Sequence, residues 1–282
     1  MANLQRGNLG PDVQALQQRL NDLGADPRLV VDGVFGARTE AAVIAFQRTH
    51  NLVPDGVVGP RTRAALDLPD RDEHTAQTPI PADVETRIRQ VMDMLVNVHG
   101  FPANGAAGLV GNLQAESGVL PNRIEGSSSS TPMRARNFAG VVTDFTAEEV
   151  MNRNRGTGVG PQLPGVGLAQ WTSTARRTAL FQHVFKGTHL GAEILFSIEA
   201  EVDFLAHELP DKFPNINQFL RDGGVSVDDA CDEVAYRFEV PGVVLDANGH
   251  LLPRSNPRVE ALFNARRPLA RTVLRVFQTV PA

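Results

Sequence analysis

Cysteine is all but missing: Cys231 is the only one in 282 residues. A single thiol excludes an intramolecular disulfide and any multi-thiolate metal site. Lysine is almost as scarce, with Lys186 and Lys212 alone, so the basic side of the composition is arginine. Aromatic residues make up 6%, including one Trp and one Tyr. No stretch approaches the roughly 18 uninterrupted apolar residues of a membrane span. An excess of positive charge is also lacking, because the net charge is −5. That speaks against a nucleic-acid binder working by bulk attraction. The first residues, MANLQRGNLGPDVQALQQRL, have neither the charged start nor the apolar run of a secretory signal.

Several chemistries are missing too. Seven His are present, but there is no His-Glu-x-x-His; His183 and His189 are six apart and His207 stands beside Glu208. A zinc hydrolase is therefore not expected, and no metal or other cofactor is. There is no Gly-x-Ser-x-Gly and no phosphate-cradling Gly-rich loop. Cys231 falls at helical spacing with Val227 and Val234, the pattern of a core residue rather than a nucleophile. What remains is a hydrophobic content of 42%, ordinary for a globular chain, and a length that fits one or two domains.

An internal repeat comes first. Asp32-Gly33-Val34-Phe35-Gly36-Ala37-Arg38-Thr39 returns 23 residues later as Asp55-Gly56-Val57-Val58-Gly59-Pro60-Arg61-Thr62. Each copy reads as a tight Asp-Gly turn feeding a helix. Ala42, Val43 and Phe46 lie at helical spacing between the copies, and Val13, Leu16, Gln17 and Leu20 suggest a helix before them. The sum is a three-helix unit over residues 1–68. Residues 69–82 are polar and Pro-bearing, which is linker composition. From Asp83 to the end of the chain, residues 83–282, the pattern is again helical, giving a mainly α protein with a small and a large domain. Helices are expected near 174–185, 192–208, 227–238 and 257–278, the last interrupted at Pro268. Strand pattern is confined to Val141–Val142 and Val243–Leu245.

The first unit resembles the peptidoglycan-binding domain that accompanies many cell-wall hydrolases, since turn, helix and repeat match in order. That resemblance implies a binding module, with Asp32, Arg38, Gln47 and Asp55 as the polar residues near the turns that could touch ligand.

In the larger domain the informative segment ends Leu113-Gln114-Ala115-Glu116-Ser117-Gly118. Leu109, Leu113 and Glu116 share a helix face, so a carboxyl continues an apolar stripe at the helix C-terminus. Apolar surroundings and the negative end of the helix dipole are the setting in which an acid keeps its proton for donation. After a long Gly/Ser/Arg-rich stretch over 117–165 comes Gly165-Val166-Gly167-Leu168-Ala169-Gln170-Trp171-Thr172, and later Arg237-Phe238-Glu239-Val240-Pro241. In this order the segments resemble the lysozyme and lytic transglycosylase superfamily, and most closely its phage tail lysozyme type. The resemblance implies a lysozyme-like helical fold and a glycoside hydrolase acting on peptidoglycan, a muramidase with Glu116 as general acid. Ser117, Gly167, Gln170 and Trp171 would line the glycan cleft, Gln170 toward an N-acetyl group and Trp171 as a stacking face.

A second carboxylate is needed for hydrolysis by either stereochemical route unless the substrate assists. Glu125, nine residues on, is the candidate; Asp144, Glu148, Glu149 and Glu239 are rivals, the last also readable as a buried structural acid. Arg123, Arg134, Arg136, Arg153 and Arg155 could meet anionic groups of the wall. Alternatives stay open: a lytic transglycosylase with Glu116 as sole acid and base, a chitin-type hydrolase, or a non-catalytic wall-binding phage component. A monomer is expected, with bacterial peptidoglycan as partner and neither nucleic acid nor a membrane span. Without a signal, a wall enzyme would be made in a host cytoplasm and reach the wall after holin release as a phage endolysin, or by a type VI secretion apparatus.

Overall fold

The computed structural model describes residues 4–8, 11–50, 52–68, 80–137, 140–152 and 164–279. They divide into two compact units, the first drawn from residues up to 68 with Ala147–Asn152 and Phe181–Glu193, the second from the remainder.

In the first unit the 23-residue repeat becomes geometry. Helix α1 (Pro11–Asp22) is followed by α2 (Ala37–Thr49) and α3 (Pro60–Ala65). The two turns are superposable in backbone terms: Gly33 and Gly56 have φ of 72° and 73°, and Gly36 and Gly59 hold the extended cap positions before α2 and α3. Only glycine takes such positive φ without strain, so the Asp-Gly pairs are conformational requirements. Val13, Leu16 and Leu20 of α1 and Val43 and Phe46 of α2 meet Phe35, Val58 and Leu66 in one apolar core. Leu4 closes it through a two-bond bridge to Val58.

The second unit is built around one helix. Helix α4 (Val84–Asp93) starts where the Asp83 carboxylate accepts from the Glu85 and Thr86 amides, and it runs on as a π turn over Met94–Val98. Helix α5 (Ala103–Ser117) is buried from Gly105 to Leu113. Its glycines at 105, 108 and 111 form a face with no side chains, and that face allows backbone to approach on three levels. A Cβ at Gly105 would stand 1.9 Å from the Leu220 carbonyl oxygen, one at Gly108 2.6 Å from the Cys231 amide nitrogen, and one at Gly111 2.6 Å from the Ala270 Cα.

Beyond α5 lie a short hairpin, β1 (Arg134–Arg136) antiparallel to β2 (Val142–Asp144) with Ala135 opposite Thr143, and then α6 (Ala147–Asn152) and α7 (Thr174–Phe181). The helix expected over 174–185 stops at Phe181, and a second hairpin follows, β3 (Val184–Phe185) with β4 (Thr188–His189). Gly187 at φ 78° supplies its turn, a signal that helical periodicity does not carry. Helix α8 (Ile198–Lys212) begins at a Ser197 cap, later than 192, because Gly191–Phe196 forms a 3₁₀ turn instead. Helices α9 (Pro214–Leu220) and α10 (Val227–Glu233) follow, and α10 passes into a π turn over Val234–Glu239. The segment 243–245 is a 3₁₀ turn rather than a strand. Helix α11 (Pro257–Gln278) runs unbroken through Pro268. Packing against α5 and α10 holds the turn that the missing N–H would otherwise loosen. The mainly α class of the chain therefore stands, with three helices in the first unit before residue 68 and the larger helical set in the second.

Candidate functional site

Glu116 occupies the last turn of α5, and Gly118 at φ 68° ends the helix. The apolar surroundings expected for this carboxyl are not what it meets. Arg266 of α11 donates from Nη2 to Glu116 Oε1 and from Nη1 to the Asn112 carbonyl at 3.2 Å. The Glu116 side chain keeps 24% of its surface exposed and that of Arg266 13%. The pair is thus open on one side and fixed on the other. Helical periodicity could not reveal it, since the two residues are 150 apart in sequence.

Beside this pair lies more buried acid. Glu208 of α8 accepts from Trp171 Nε1 at 2.9 Å and from both Nε and Nη2 of Arg176 at 2.7 and 2.8 Å. Arg176 lies over the rings of Phe213 and Phe238. Glu239, at the end of the π turn, has an Oε1 that is buried with no hydrogen-bond partner. Burial, and after it the charge of Glu116, pushes its carboxyl up to about 8. Val119 and Val240, which follow these carboxylates, both have left-handed backbones, φ 58° and 46°. A β-branched residue there is strained, and such strain persists only where the surroundings over-determine it.

The segment 165–171 is a tight loop bound to the strand-like stretch after Glu116. Ile124 bridges Val166, which in turn pairs with Trp171. Gly167 has φ 74°, and a Cβ there would meet both carboxyl oxygens of Glu201 at 2.7 Å. Glu201 is fully buried beneath the loop, accepts from the Leu168 amide at 2.7 Å, and is raised well above the usual carboxylate range by burial. Sequence reasoning did not single out Glu201, Glu208 or Arg266, and it met Arg176 only as one of two arginines, with Arg177, that could complete the motif after Gln170-Trp171-Thr172. The three on α7 and α8 look like ordinary charged helix residues until the loop they support is seen.

The residues singled out from sequence divide as follows. Ser117 is buried and donates to Leu113 O at 3.0 Å, so its hydroxyl serves its own helix. Glu125 is exposed, and its Oε2 accepts from the Gly165 amide at 2.9 Å while its own N–H donates to Gly165 O. Gln170 donates to the carbonyls of Arg123 and Gly167 at 3.1 and 2.9 Å. Trp171 is wholly buried, edge-on to Phe204, and offers no face for a sugar. Its indole N–H needs an acceptor once buried, and Glu208 is that acceptor. Arg123 holds Ser127 and Ser129, and Arg134 pairs with Asp144 across the hairpin at 2.6 Å. Arg136 donates to Gly140 O. Glu148 and Glu149 are on α6, in the first unit. Arg153 and Arg155 lie outside the described residues. Cys231 is buried, and burial pushes its thiol up to about 12, which leaves no thiolate near neutrality.

In the first unit, Gln47 is buried and uses its whole amide on the second turn. It donates to Asp55 Oδ1, Val57 O and Thr62 Oγ1, and accepts from the Gly56 amide. Gln17 does the same for the first turn, with Asp32 Oδ1, Val34 O, Thr39 Oγ1 and the Gly33 amide. Asp32 and Asp55 are exposed but each has one oxygen engaged in its own turn. Arg38 differs: it is exposed and lines a cavity of about 570 Å³ between the end of α1 and the face of α2. Leu20, Leu23, Pro27 and Phe46 form its apolar wall, and Asp26 and His50 share its polar edge.

Comparison with known proteins matches two stretches of the chain. Residues 10–66 match a family model for a peptidoglycan binding domain, and residues 86–256 match the phage tail lysozyme family. Among solved structures, the crystal structure of Burkholderia AP3 phage endolysin is similar at 18% identity over 98% of each chain, with a TM-score of 0.29. No curated protein matches the chain.

Proposed function

Because the chain belongs to the phage tail lysozyme family and carries a peptidoglycan-binding domain, making it a lysozyme-like cell-wall hydrolase, we propose that it is a muramidase with Glu116 as general acid. One observation carries the assignment: Glu116 is the carboxyl that ends the buried central helix, is fixed by Arg266, and still keeps an open side. Glu208 is enclosed by Trp171 and Arg176, and Glu201 is enclosed beneath Leu168. Glu125 acts as the clamp of the 165–171 loop rather than as a second catalytic acid, since its carboxylate is tied to the Gly165 amide. Glu116 protonates the glycosidic oxygen as the bond to the leaving sugar breaks.

Peptidoglycan engages the anchor at the Arg38 cavity, whose apolar wall and single guanidinium suit a short peptide ending in a carboxylate. A tethered catalyst meets its substrate at raised effective concentration, so the cleft itself can bind weakly. The enzyme acts as a monomer at the bacterial wall, delivered from a host cytoplasm as an endolysin. Among the described residues no helix is long and apolar enough to cross a membrane.

The test is Glu116→Gln. Lysis of purified sacculi should fall by about 10²–10⁴-fold, while thermal unfolding and co-sedimentation with sacculi stay at wild-type values. Near wild-type clearing by this variant overturns the assignment. A second reading, lytic transglycosylase, is favoured by the commitment of Glu125 to Gly165, which takes that carboxylate away from the role of base. Mass spectrometry of the released muropeptides separates the two, since hydrolysis gives reducing ends and transglycosylation gives 1,6-anhydro ends.

A further inference from the structure

The surroundings of Glu116 hold more acid than base. Glu116, Glu208 and Glu239 form an electrostatic group with two arginines, Arg176 and Arg266. Both arginines are committed. Arg176 makes a two-bond fork to Glu208, and Arg266 joins Glu116 to the Asn112 carbonyl. Glu239 is the odd carboxyl out, with Oε1 buried and unpartnered. Among the described residues, the other arginines of α11, which packs on its π turn, are engaged elsewhere: Arg258 donates to Gly242 O, Arg271 pairs with Asp228 and Arg275 bonds Thr272. On α10, Asp232 is paired with Arg267, and Glu233 with Arg237 and Arg254. Helix α9 carries no charged side chain at all. An ionised carboxylate there would leave Oε1 out of water with no donor, and the two arginines near it are already engaged by Glu208 and Glu116, so the neutral acid is the form the cluster accommodates.

The backbone adds a second observation. Residue 239 closes a π turn, and Val240 then takes a left-handed conformation at φ 46°, ψ 55°. Inserting a π turn shifts the helical register, and such turns are frequent at functional sites. The chain departs from an ordinary helix end at the residue that carries the buried carboxyl.

We propose that Glu239 is a positioning residue of the Glu116 site, an acid that keeps its proton so that Arg266 serves Glu116 alone. The inference rests on the reading of Glu116 as general acid. It has a direction in pH. Burial holds the Glu239 carboxyl up to about 8, so it is neutral below that pH and ionises above it. The added negative charge then competes for Arg266 and draws it from Glu116 and Asn112 O. Glu116 then loses the contact that orients its carboxyl, so activity should fall on the alkaline side through misplacement of the acid rather than through its charge.

The experiment compares pH profiles of sacculus lysis for wild type and Glu239→Gln, using the full chain and following wall binding at each pH by co-sedimentation. Gln mimics the neutral acid and cannot ionise. The variant should keep neutral-pH turnover within about two-fold of wild type and lose the alkaline limb centred near 8. Superimposed profiles overturn the proposal, and so does a folded but inactive variant, which would make Glu239 a proton donor in the reaction. Should Glu239→Gln fail to fold, ¹³C-carboxyl titration by NMR decides the matter. One glutamate titrating near 8 should move downward in Glu116→Gln, whereas Glu201 should not respond to that change. Absence of any such responsive carboxyl overturns the proposal. The two readings fail separately. A lytic Glu116→Gln variant sinks the general-acid assignment, and an inactive Glu116→Gln beside an unaltered Glu239→Gln profile sinks only this one.

Discussion

The anchor unit and the larger unit both bury polar side chains, with opposite outcomes. In the anchor, Gln17 and Gln47 are neutral amides whose donors and acceptors are all matched to a turn, and the turns repeat. The larger unit also buries acids, and two of them, Glu201 and Glu239, have an unpartnered oxygen, Glu239 beside arginines already committed elsewhere. A fully matched buried network fixes conformation and has nothing left to offer a ligand. A network with a group left over stores a titratable site. On this contrast Gln17 and Gln47 of the anchor are architecture, and the acids around Glu116 are where we propose the chemistry lies.

The strongest way to break the contrast is to disturb what brings the acids together. Glu116 on α5, Glu239 beyond α10 and Arg266 on α11 depend on the close approach of these three helices at the glycine face of α5. Gly108→Ala places a methyl carbon 2.5 Å from Ala230 Cβ and 2.6 Å from the Cys231 amide, both of them parts of α10. The nearest neighbours there are two backbone atoms and a Cβ fixed to the backbone, so none can swing aside, and the variant should lose about 3 kcal/mol or more of stability in denaturant unfolding. Lysis should fall with it even at temperatures where the variant stays folded. A variant of wild-type stability would show that the helices have slack, and the argument from a rigid cluster would weaken.

Much of this arrangement was legible in the sequence, and what was not follows a pattern. The turns at Asp32-Gly33 and Asp55-Gly56, the helix ending at Glu116 and the loop starting at Gly165 are local signals, each carried by a handful of adjacent residues. The partners of Glu116 are not local. Arg266 joins it from 150 residues away, on a helix whose periodicity gives no hint that one arginine faces inward. Trp171 misled for a related reason: as the sole Trp beside a cleft motif it suggested a stacking platform, but the loop folds it inward onto Glu208. Gln47 and Gln17 escaped as a pair because their turns lie 8 residues after Gln47 but 15 to 16 after Gln17, so no single spacing links the two. Pro268 was over-read, since tertiary packing outweighs one missing donor.

A smaller effect tests the anchor side of the contrast. Gln47→Ala leaves the Gly56 amide and the Asp55 and Thr62 side chains without their shared partner. Unsatisfied buried groups of this kind cost about 1–3 kcal/mol, so the anchor should unfold earlier on heating, read as lost wall binding at a lower temperature. Turnover of short soluble glycan fragments should be unchanged, because the altered turn belongs to the other unit. Loss of wall binding at temperatures where the anchor is still folded would instead mean that Gln47 touches ligand directly, and the separation of architecture from chemistry would fail in this unit.

The mildest effect is expected at Arg38, and it is the most discriminating. Arg38 and Asp32 stand six residues apart, both exposed and both at the first turn copy. Asp32 has an oxygen engaged by Gln17 and the Val34 amide, which hold its carboxylate below the ordinary range, whereas Arg38 lines the cavity beside α2. Arg38→Ala should therefore weaken co-sedimentation with sacculi by about ten-fold, roughly 1.4 kcal/mol, with an unchanged melting temperature. Asp32→Asn should do the reverse, lowering the melting temperature while leaving affinity intact wherever the anchor is folded. If the two phenotypes are exchanged, the ligand sits on the repeated turns and not in the cavity, and a satisfied hydrogen-bond network is then no guide to which polar residues of this anchor are free to bind.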